Sequence, residues 1–226
     1  MLGRNRFIRF LSGGALLVAS ACLPASASVP NVLANPGFET GTAVGNGDVG
    51  GAPSWTSFGN VFNVSAPNPV PVGSHTGTGA LKEFGTFPGV SGAFQSFPTT
   101  PGTAWSLSGF GLNASSDPMQ TGNFGEVKIS FQNATNTELL GIDSNHIDTT
   151  TPADVWTPLL ATGVAPANTD HVNLFALFVQ PQFAGGSTFF DDLSGSVVPE
   201  PASVGLFGIA GLSVLRRRRC AALPGK

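Results

Sequence analysis

The sequence contains few charged residues, no tyrosine and almost no cysteine. Only 10% of its 226 residues are charged, whereas 41% are hydrophobic and glycine, proline and phenylalanine are plentiful. This composition excludes intrinsic disorder, because disordered chains combine few apolar residues with high net charge. The two cysteines, Cys22 and Cys220, lie near the two ends. The segment between them therefore forms no disulfide bond, and its stability depends on burial and on a metal ion if it binds one.

Basic residues are also scarce in the middle of the chain. Between Ser28 and Val198 the only bases are Lys82 and Lys128, against twelve acidic residues, which gives this segment a net charge of −10. Such a surface repels nucleic acid and anionic lipid, and it attracts divalent cations. We therefore predict that nucleic acid is not a partner.

Residues 1–27 have the pattern of a secretory signal peptide. A basic front is followed by an apolar run and by the small residues Ala25, Ser26 and Ala27, which predicts cleavage before Ser28. Two alternatives remain open. In the first alternative, the segment is a buried N-terminal helix. In the second, the protein is a lipoprotein and Cys22 carries its lipid anchor.

Residues 198–226 form a second membrane-directed segment. The motif Pro199-Glu200-Pro201 precedes an uncharged stretch, residues 202–215, which predicts a single hydrophobic helix near the lower length limit for crossing a bilayer. The arginine cluster that follows is expected to hold the far end on the cytoplasmic side of the membrane. Its members are Arg216, Arg217, Arg218 and Arg219.

The order of motif, apolar stretch and arginine cluster resembles the PEP-CTERM sorting signal of Gram-negative bacteria. The resemblance implies that an exosortase, an integral-membrane protease, cleaves the chain near Pro199-Glu200-Pro201. Delivery of the exported domain to the cell surface or the extracellular matrix would follow. An ordinary single-pass tail anchor is the alternative, in which the helix keeps the domain on the membrane.

Residues 28–197 are predicted to form one β-sandwich ectodomain. Several segments alternate apolar with small or polar residues, as half-buried strands do, and the stretch from 171 to 180 is apolar enough for a central strand. Turn-rich residues separate them, notably 65–79 and 112–125. The predicted strands are 93–97, 105–112, 126–131, 171–180 and 187–198.

An ordered set of short motifs in this domain resembles the galactose-binding-like jelly rolls, which include several families of carbohydrate-binding module. The set runs from residues 35–39 through 94–97, 101–108 and 156–159 to 190–193. The resemblance implies an all-β, jelly-roll β-sandwich. It also implies a structural calcium ion held by acidic residues of the first and last strands.

The acidic residues in the matching positions are Glu39, Asp191 and Asp192. Carboxylates together with backbone carbonyls provide the oxygen ligands that calcium prefers. Because neighbouring residues of a strand point to opposite faces, only one of Asp191 and Asp192 is expected to be a ligand. In the alternative interpretation, these acidic residues only cap the ends of strands and are exposed to solvent.

Sugar recognition needs exposed aromatic rings, and the candidates are ambiguous. Trp55, Trp105 and Trp156 fall where the jelly-roll families have core aromatics, so burial in the core is the preferred reading. Phenylalanines in turn-rich stretches are the other candidates for exposed rings. These are Phe58, Phe62, Phe84 and Phe87. No ligand-binding residue is assigned.

No catalytic constellation is recognisable, and the protein is predicted not to be an enzyme. The three histidines lie far apart and lack the spacing of a metal site, and the exported segment has neither a Gly-x-Ser-x-Gly elbow nor a cysteine. We therefore expect a non-catalytic surface or matrix protein of a biofilm, associated with exopolysaccharide. A specific carbohydrate-binding module is the alternative, and a glycoside hydrolase using two carboxyl groups is the less favoured third.

Overall fold

The computed structural model describes residues 29–41, 51–64, 71–85, 89–182 and 184–199. In these residues the chain forms ten β-strands and no helix. The strands are β1 (Thr56–Phe58), β2 (Asn60–Val64), β3 (Ala80–Phe84), β4 (Gly89–Pro98), β5 (Ala104–Leu112), β6 (Phe124–Gln132), β7 (Glu138–Asp143), β8 (Thr157–Val164), β9 (His171–Gln180) and β10 (Ser187–Val197).

The strands form two five-stranded sheets. One has the order β1-β4-β9-β6-β7 and the other β2-β3-β10-β5-β8, and every named strand pair is antiparallel. The molecule is therefore a jelly-roll β-sandwich, as the sequence predicts. Strand β9 lies in the middle of its sheet, which agrees with its apolar sequence.

Alternation along the strands builds the core between the sheets. In β5, Trp105 and Leu107 are buried while Ser106 and Ser108 are half-buried. In β9, Leu174 and Ala176 are fully buried, and both belong to the main hydrophobic cluster. Burial of such side chains contributes about 25 cal/mol for each Å² of apolar surface removed from water. A disulfide-free domain thus obtains its stability from this core.

All five predicted strands are confirmed, with ends shifted by up to four residues. Strands β7 and β8 were not predicted. Both are edge strands, and the side chains of β7 are mostly exposed and follow no alternating pattern. Strands β1, β2 and β3 were not predicted either, since they have only three to five residues each. Phe62 and Phe84, expected in turns, lie in β2 and β3 and stack with ring centroids 5.3 Å apart.

The signal peptide (1–27), the helix over 202–215, the residues Glu200 and Pro201, and Phe87 lie outside the described residues. So do the four arginines at 216–219. In the part of the chain that is described, no helix is long and apolar enough to cross a membrane.

Strand β10 contains an irregularity that positions the acidic residues. Its pairing with β5 shifts register between Asp191 and Ser194, which marks a β-bulge. Asp192, within the bulge, has a φ of +49°. This left-handed conformation is uncommon for residues other than glycine, although aspartate adopts it more readily than most.

Candidate functional site

The three predicted metal-ligand residues converge on one loop, residues 75–79. Asp191 accepts hydrogen bonds from the backbone N–H groups of His75 (2.8 Å) and Thr76 (3.2 Å) through Oδ2. Asp192 contacts the side chains of the same two residues, with Oδ2 2.6 Å from Nδ1 of His75 and Oδ1 accepting from the Thr76 hydroxyl at 2.7 Å. The two aspartates therefore fasten this loop to the last strand.

Glu39 binds the following residues of the loop. Its carboxylate accepts the backbone N–H groups of Thr78 and Gly79, each at 3.0 Å. Gly77 and Gly79 are required here, because an added Cβ would overlap the Glu39 carboxylate at the first position and the carbonyl of Phe38 at the second. We refer to Glu39, Asp191 and Asp192 with residues 75–79 as the acidic latch.

The expectation that Asp191 and Asp192 point to opposite faces is wrong. Both carboxylates contact His75 and Thr76. The strand period of two predicts opposite faces only for a regular strand, whereas the bulge turns Asp192 to the side of its neighbour. The sequence carries no clear signal for this irregularity.

Burial and hydrogen bonding act differently on the carboxylates of the acidic latch. Burial raises the pKa of Asp191 to about 6, against the opposing effect of the N–H groups that it accepts. The pKa of Glu39 is lowered, because the N–H groups of Gly79 and Thr78 outweigh the effect of desolvation. Asp192 raises the pKa of both through charge repulsion.

These residues are of the type that calcium prefers, but their arrangement here does not fit the ion. N–H groups, and not backbone carbonyls, face the carboxylates, whereas calcium requires six to eight oxygen ligands. Within the described ranges, no group of three or more His, Cys, Asp or Glu side chains is arranged to hold a metal ion. Calcium therefore stays a prediction of the resemblance.

Each histidine pairs with a carboxylate rather than with another histidine. Besides the pair in the acidic latch, His146 lies 3.0 Å from Glu126, and His171 lies 3.1 Å from Asp170. Burial, then repulsion from Asp143, raises the pKa of Glu126 to about 7.

Two of the three tryptophans belong to the core. Trp55 and Trp105 are buried, and their indole N–H groups donate to the carbonyl of Asn35 and the hydroxyl of Thr99. Trp156 is half-buried, packs against a second hydrophobic cluster and donates to the carbonyl of Gly73. The preferred reading of the tryptophans as packing residues is confirmed for Trp55 and Trp105.

One exposed and two half-buried aromatic rings occur instead on the outer face of the sheet that contains β9. Phe175 lies between two core residues, Leu174 and Ala176, and so points away from the core. Its ring contacts that of Phe94 at a centroid distance of 5.0 Å and that of Phe58 at 6.4 Å. We call Phe58, Phe94 and Phe175 the phenylalanine face. Of these three residues, only Phe58 was among the four phenylalanines that the sequence offered as candidates for exposed rings.

Polar side chains adjoin the phenylalanine face. Asn173, two residues before Phe175 on the same side of β9, is 93% buried, and its Oδ1 has no hydrogen-bond partner. Lys128 on β6 is paired in register with Phe175 and forms an ion pair with Glu138 at 3.2 Å. This face therefore places aromatic rings next to one buried, unsatisfied acceptor and a lysine that is paired with carboxylates.

The residues that precede the PEP motif are held in the sheet. Val197 is paired with Trp105, and the N–H of Val198 donates to the carbonyl of Ala104 at 2.9 Å. Beside them, the N–H of Val32 donates to the carbonyl of Gly195 at 2.8 Å. The two ends of the domain thus leave the sandwich side by side.

Comparison with known proteins identifies the C-terminal segment. Residues 197–219 match the family model of the PEP-CTERM protein-sorting motif. This motif marks surface proteins of Gram-negative bacteria that are exported and processed by an exosortase. No curated protein matches the sequence.

Solved structures with the same fold differ widely in function. A cyclase from Fischerella sp. TAU, in complex with 4-(1H-indol-3-yl)butan-2-one, aligns with a TM-score of 0.55 at 14% identity, covering 78% of this chain and 100% of the cyclase. The α-L-arabinofuranosidase MgGH51 aligns with a TM-score of 0.51 at 16% identity, over 74% of this chain and 26% of the enzyme.

A carbohydrate-binding module is a third neighbour. The CBM22-1 xylan-binding domain from Paenibacillus barcinonensis Xyn10C aligns with a TM-score of 0.47 at 13% identity, over 73% of this chain and 93% of that domain. At such identities the first two alignments establish a shared jelly-roll fold and nothing about a shared activity.

Proposed function

We propose that this is a non-catalytic protein of the extracellular matrix, which binds exopolysaccharide through the phenylalanine face. In this proposal the signal peptide directs export, and an exosortase cleaves near Pro199-Glu200-Pro201 while the C-terminal helix holds the chain in the membrane. The PEP-CTERM match supports the route. The binding role rests on the geometry of the face.

The observation that carries the binding role is the contact between Phe94 and Phe175 on a solvent-facing side of the sandwich. Sugar rings present apolar C–H faces that pack on aromatic rings, and their hydroxyls need acceptors and donors nearby. Lys128, which is paired with Glu138, is a donor beside the rings, and the unsatisfied Oδ1 of Asn173 is a buried acceptor next to them. A polymer lying along the sheet would contact the rings and the lysine.

Retention of the processed protein on the exopolysaccharide of its own host tests this proposal. We expect saturable retention, and we expect the Phe175→Ala variant to lose most of it while keeping its melting temperature within a few degrees. Trp156→Ala is a matched control, because that aromatic residue is partly exposed on the other sheet. Equal retention of Phe175→Ala and the unaltered protein would contradict the proposal.

The alternative of a specific carbohydrate-binding module predicts one further result. If the face recognises a particular glycan, a single sugar or oligosaccharide should compete the protein off the polymer, and unrelated sugars should not. A general matrix protein would be retained without such competition. The polar groups next to the rings, Asn173 above all, favour testing for a specific glycan.

A structural calcium ion at Glu39, Asp191 and Asp192 stays an expectation of the jelly-roll resemblance alone. The N–H groups that face these carboxylates do not support it. The binding role of the phenylalanine face does not depend on it.

A further inference from the structure

A cavity of about 240 Å³ opens at the end of the sandwich where β3 and β9 end and β10 begins. Its lining includes Lys82, Phe84, Asp117 and Gln180, together with residues 184–186. Lys82 and Phe84 belong to the sheet opposite to the phenylalanine face. The cavity is therefore a separate place on the molecule.

One polar side chain of this cavity is buried without being satisfied. Gln180 is 93% buried, its Nε2 donates to the carbonyl of Ala184, and its Oε1 has no hydrogen-bond partner. Gly85 makes room for it, because an added Cβ there would overlap the Gln180 amide. A buried acceptor without a donor costs free energy, so a ligand that donates a hydrogen bond to Oε1 gains by removing this cost.

The charged groups of the cavity stand next to each other. Nζ of Lys82 lies 3.1 Å from Oδ2 of Asp117, and it also lies over the rings of Phe84 and Phe189 at 5.7 and 5.5 Å. An ammonium group in the cavity disfavours a metal ion as the ligand, and the carboxylate beside it disfavours an anion. A hydroxyl group suits both, because it donates to the carboxylate and accepts from the ammonium.

We propose that this cavity binds a single neutral sugar ring, such as a chain end or a side branch of the exopolysaccharide. Several neighbouring hydroxyls on one ring would reach Asp117, Lys82 and the Oε1 of Gln180, and Phe84 supplies an apolar wall. The volume agrees with a small ligand, since pockets for drug-sized molecules hold about 300–1,000 Å³. The assignment of the ring to the exopolysaccharide rests on the proposed function, whereas recognition of a free sugar ring does not.

Titration of the isotope-labelled processed protein with free glucose, galactose and mannose, each alone, tests the site by nuclear magnetic resonance. We expect at least one hexose to shift the backbone amides of Gly85, Asp117, Gly185 and Gly186 in a saturable way. Asp117→Asn and Lys82→Met should weaken this binding by about tenfold or more, since each removes a charge-assisted hydrogen bond. Lys82→Met keeps an unbranched apolar side chain of similar length and removes the ammonium group. The melting temperature of each variant reports whether it is folded.

Phe175→Ala separates the two proposals. The cavity should bind the hexose unchanged in this variant, even where retention on the polymer is lost. The absence of shifts at these amides with all three hexoses would overturn the cavity proposal and leave the phenylalanine face untouched. Equal shifts in Asp117→Asn, Lys82→Met and the unaltered protein would also overturn it. If the hexose binds but the protein is not retained on the polymer, the cavity proposal is supported and the matrix proposal is contradicted.

Discussion

The carboxylate of Asp192 lies 2.6 Å from Nδ1 of His75, although 117 positions separate the two residues in the chain. His75 also stacks on Phe110 of β5, with ring centroids 3.6 Å apart. The contact is possible because the bulge in β10 places Asp192 in a left-handed conformation beside Asp191. A loop of the sandwich is thus held by an irregularity in its last strand.

Asp192→Ala should destabilise the domain by about 1–3 kcal/mol, because it removes two side-chain contacts to the loop and introduces a residue that tolerates a positive φ poorly. Asp192→Asn keeps the backbone preference and should cost less. Urea unfolding of both variants measures the difference. Asp154→Asn, at an exposed position, is the control. Equal stability of Asp192→Ala and the unaltered protein would show that the contact to His75 stabilises nothing.

Calcium binding to the acidic latch can be tested separately, by its effect on the melting temperature. If the acidic latch binds calcium as the resemblance implies, millimolar calcium should raise the melting temperature relative to a chelator, because a ligand that binds the folded state alone stabilises it by mass action. Glu39→Gln should abolish this rise. If the melting temperature is the same in calcium and chelator, the hydrogen bonds to residues 75–79 are the whole function of these carboxylates.

The β-sandwich could be predicted because its longest strands carry clear alternating patterns, as in β5 and β9. The candidate sites could be predicted only in part. Glu39, Asp191 and Asp192 do meet, but their partner His75 and the bulge that allows the meeting leave no pattern in the sequence. A positive φ at an aspartate follows from the surrounding fold and not from local preference.

The phenylalanine face was missed for a related reason. Phe175 lies in a segment whose residues are almost all apolar, and such a segment predicts a central strand without saying which residues point outward. The outward direction of Phe175 follows only from its pairing with Phe94 and Lys128 on the neighbouring strands. The position of this face thus depends on contacts between strands that are distant in the chain.

A buried acid in the core gives the protein a pH-dependent stability. Glu83 is fully buried, neither of its carboxyl oxygens has a hydrogen-bond partner, and burial raises its pKa well above the ordinary value of 4.5. The folded state thus holds a proton that the unfolded chain releases above about pH 4.5. Stability from this group is complete below that pH and falls as the pH rises toward the folded-state pKa, by at most about 1.4 kcal/mol for each pH unit.

Glu83→Met should therefore raise the free energy of unfolding at neutral pH by about 1–3 kcal/mol, because it removes an unpaired buried polar group. It should also reduce the fall in stability between pH 5 and 8. Part of the fall should remain, because Glu126 and Asp191 also have raised pKa values. Urea unfolding across this range measures both effects. An unchanged pH profile in Glu83→Met would contradict the assignment.

Asp148→Asn is the control, because the Asp148 carboxyl group changes the stability with pH in the opposite direction to Glu83. The hydroxyl and the N–H of Thr150 lower the pKa of Asp148. Its contribution to stability is therefore present above the unfolded-state pKa and is lost as the pH falls through the folded-state pKa. Removing this group should change the acidic limb of the profile and leave the range from pH 5 to 8 unaltered.

The folded domain ends immediately before its processing motif. The PEP-CTERM match begins at residue 197, while Val197 is paired with Trp105 and Val198 is hydrogen-bonded to Ala104. A membrane protease that takes up an extended segment needs these backbone groups free, so the end of β10 has to separate from β5 before cleavage. Inserting Gly-Ser-Gly-Ser between Val198 and Pro199 should therefore accelerate processing in cells.

Pulse-chase labelling of the precursor and the processed form measures this rate. The same four residues inserted after Arg219 are the matched control, because they lengthen the chain without changing the distance between β10 and the motif. We expect this control to be processed at the rate of the unaltered protein. Equal rates for both insertions would mean that separation of the strand end does not limit cleavage. Slower processing of the Val198 insertion would mean that the protease requires the folded domain at its natural distance.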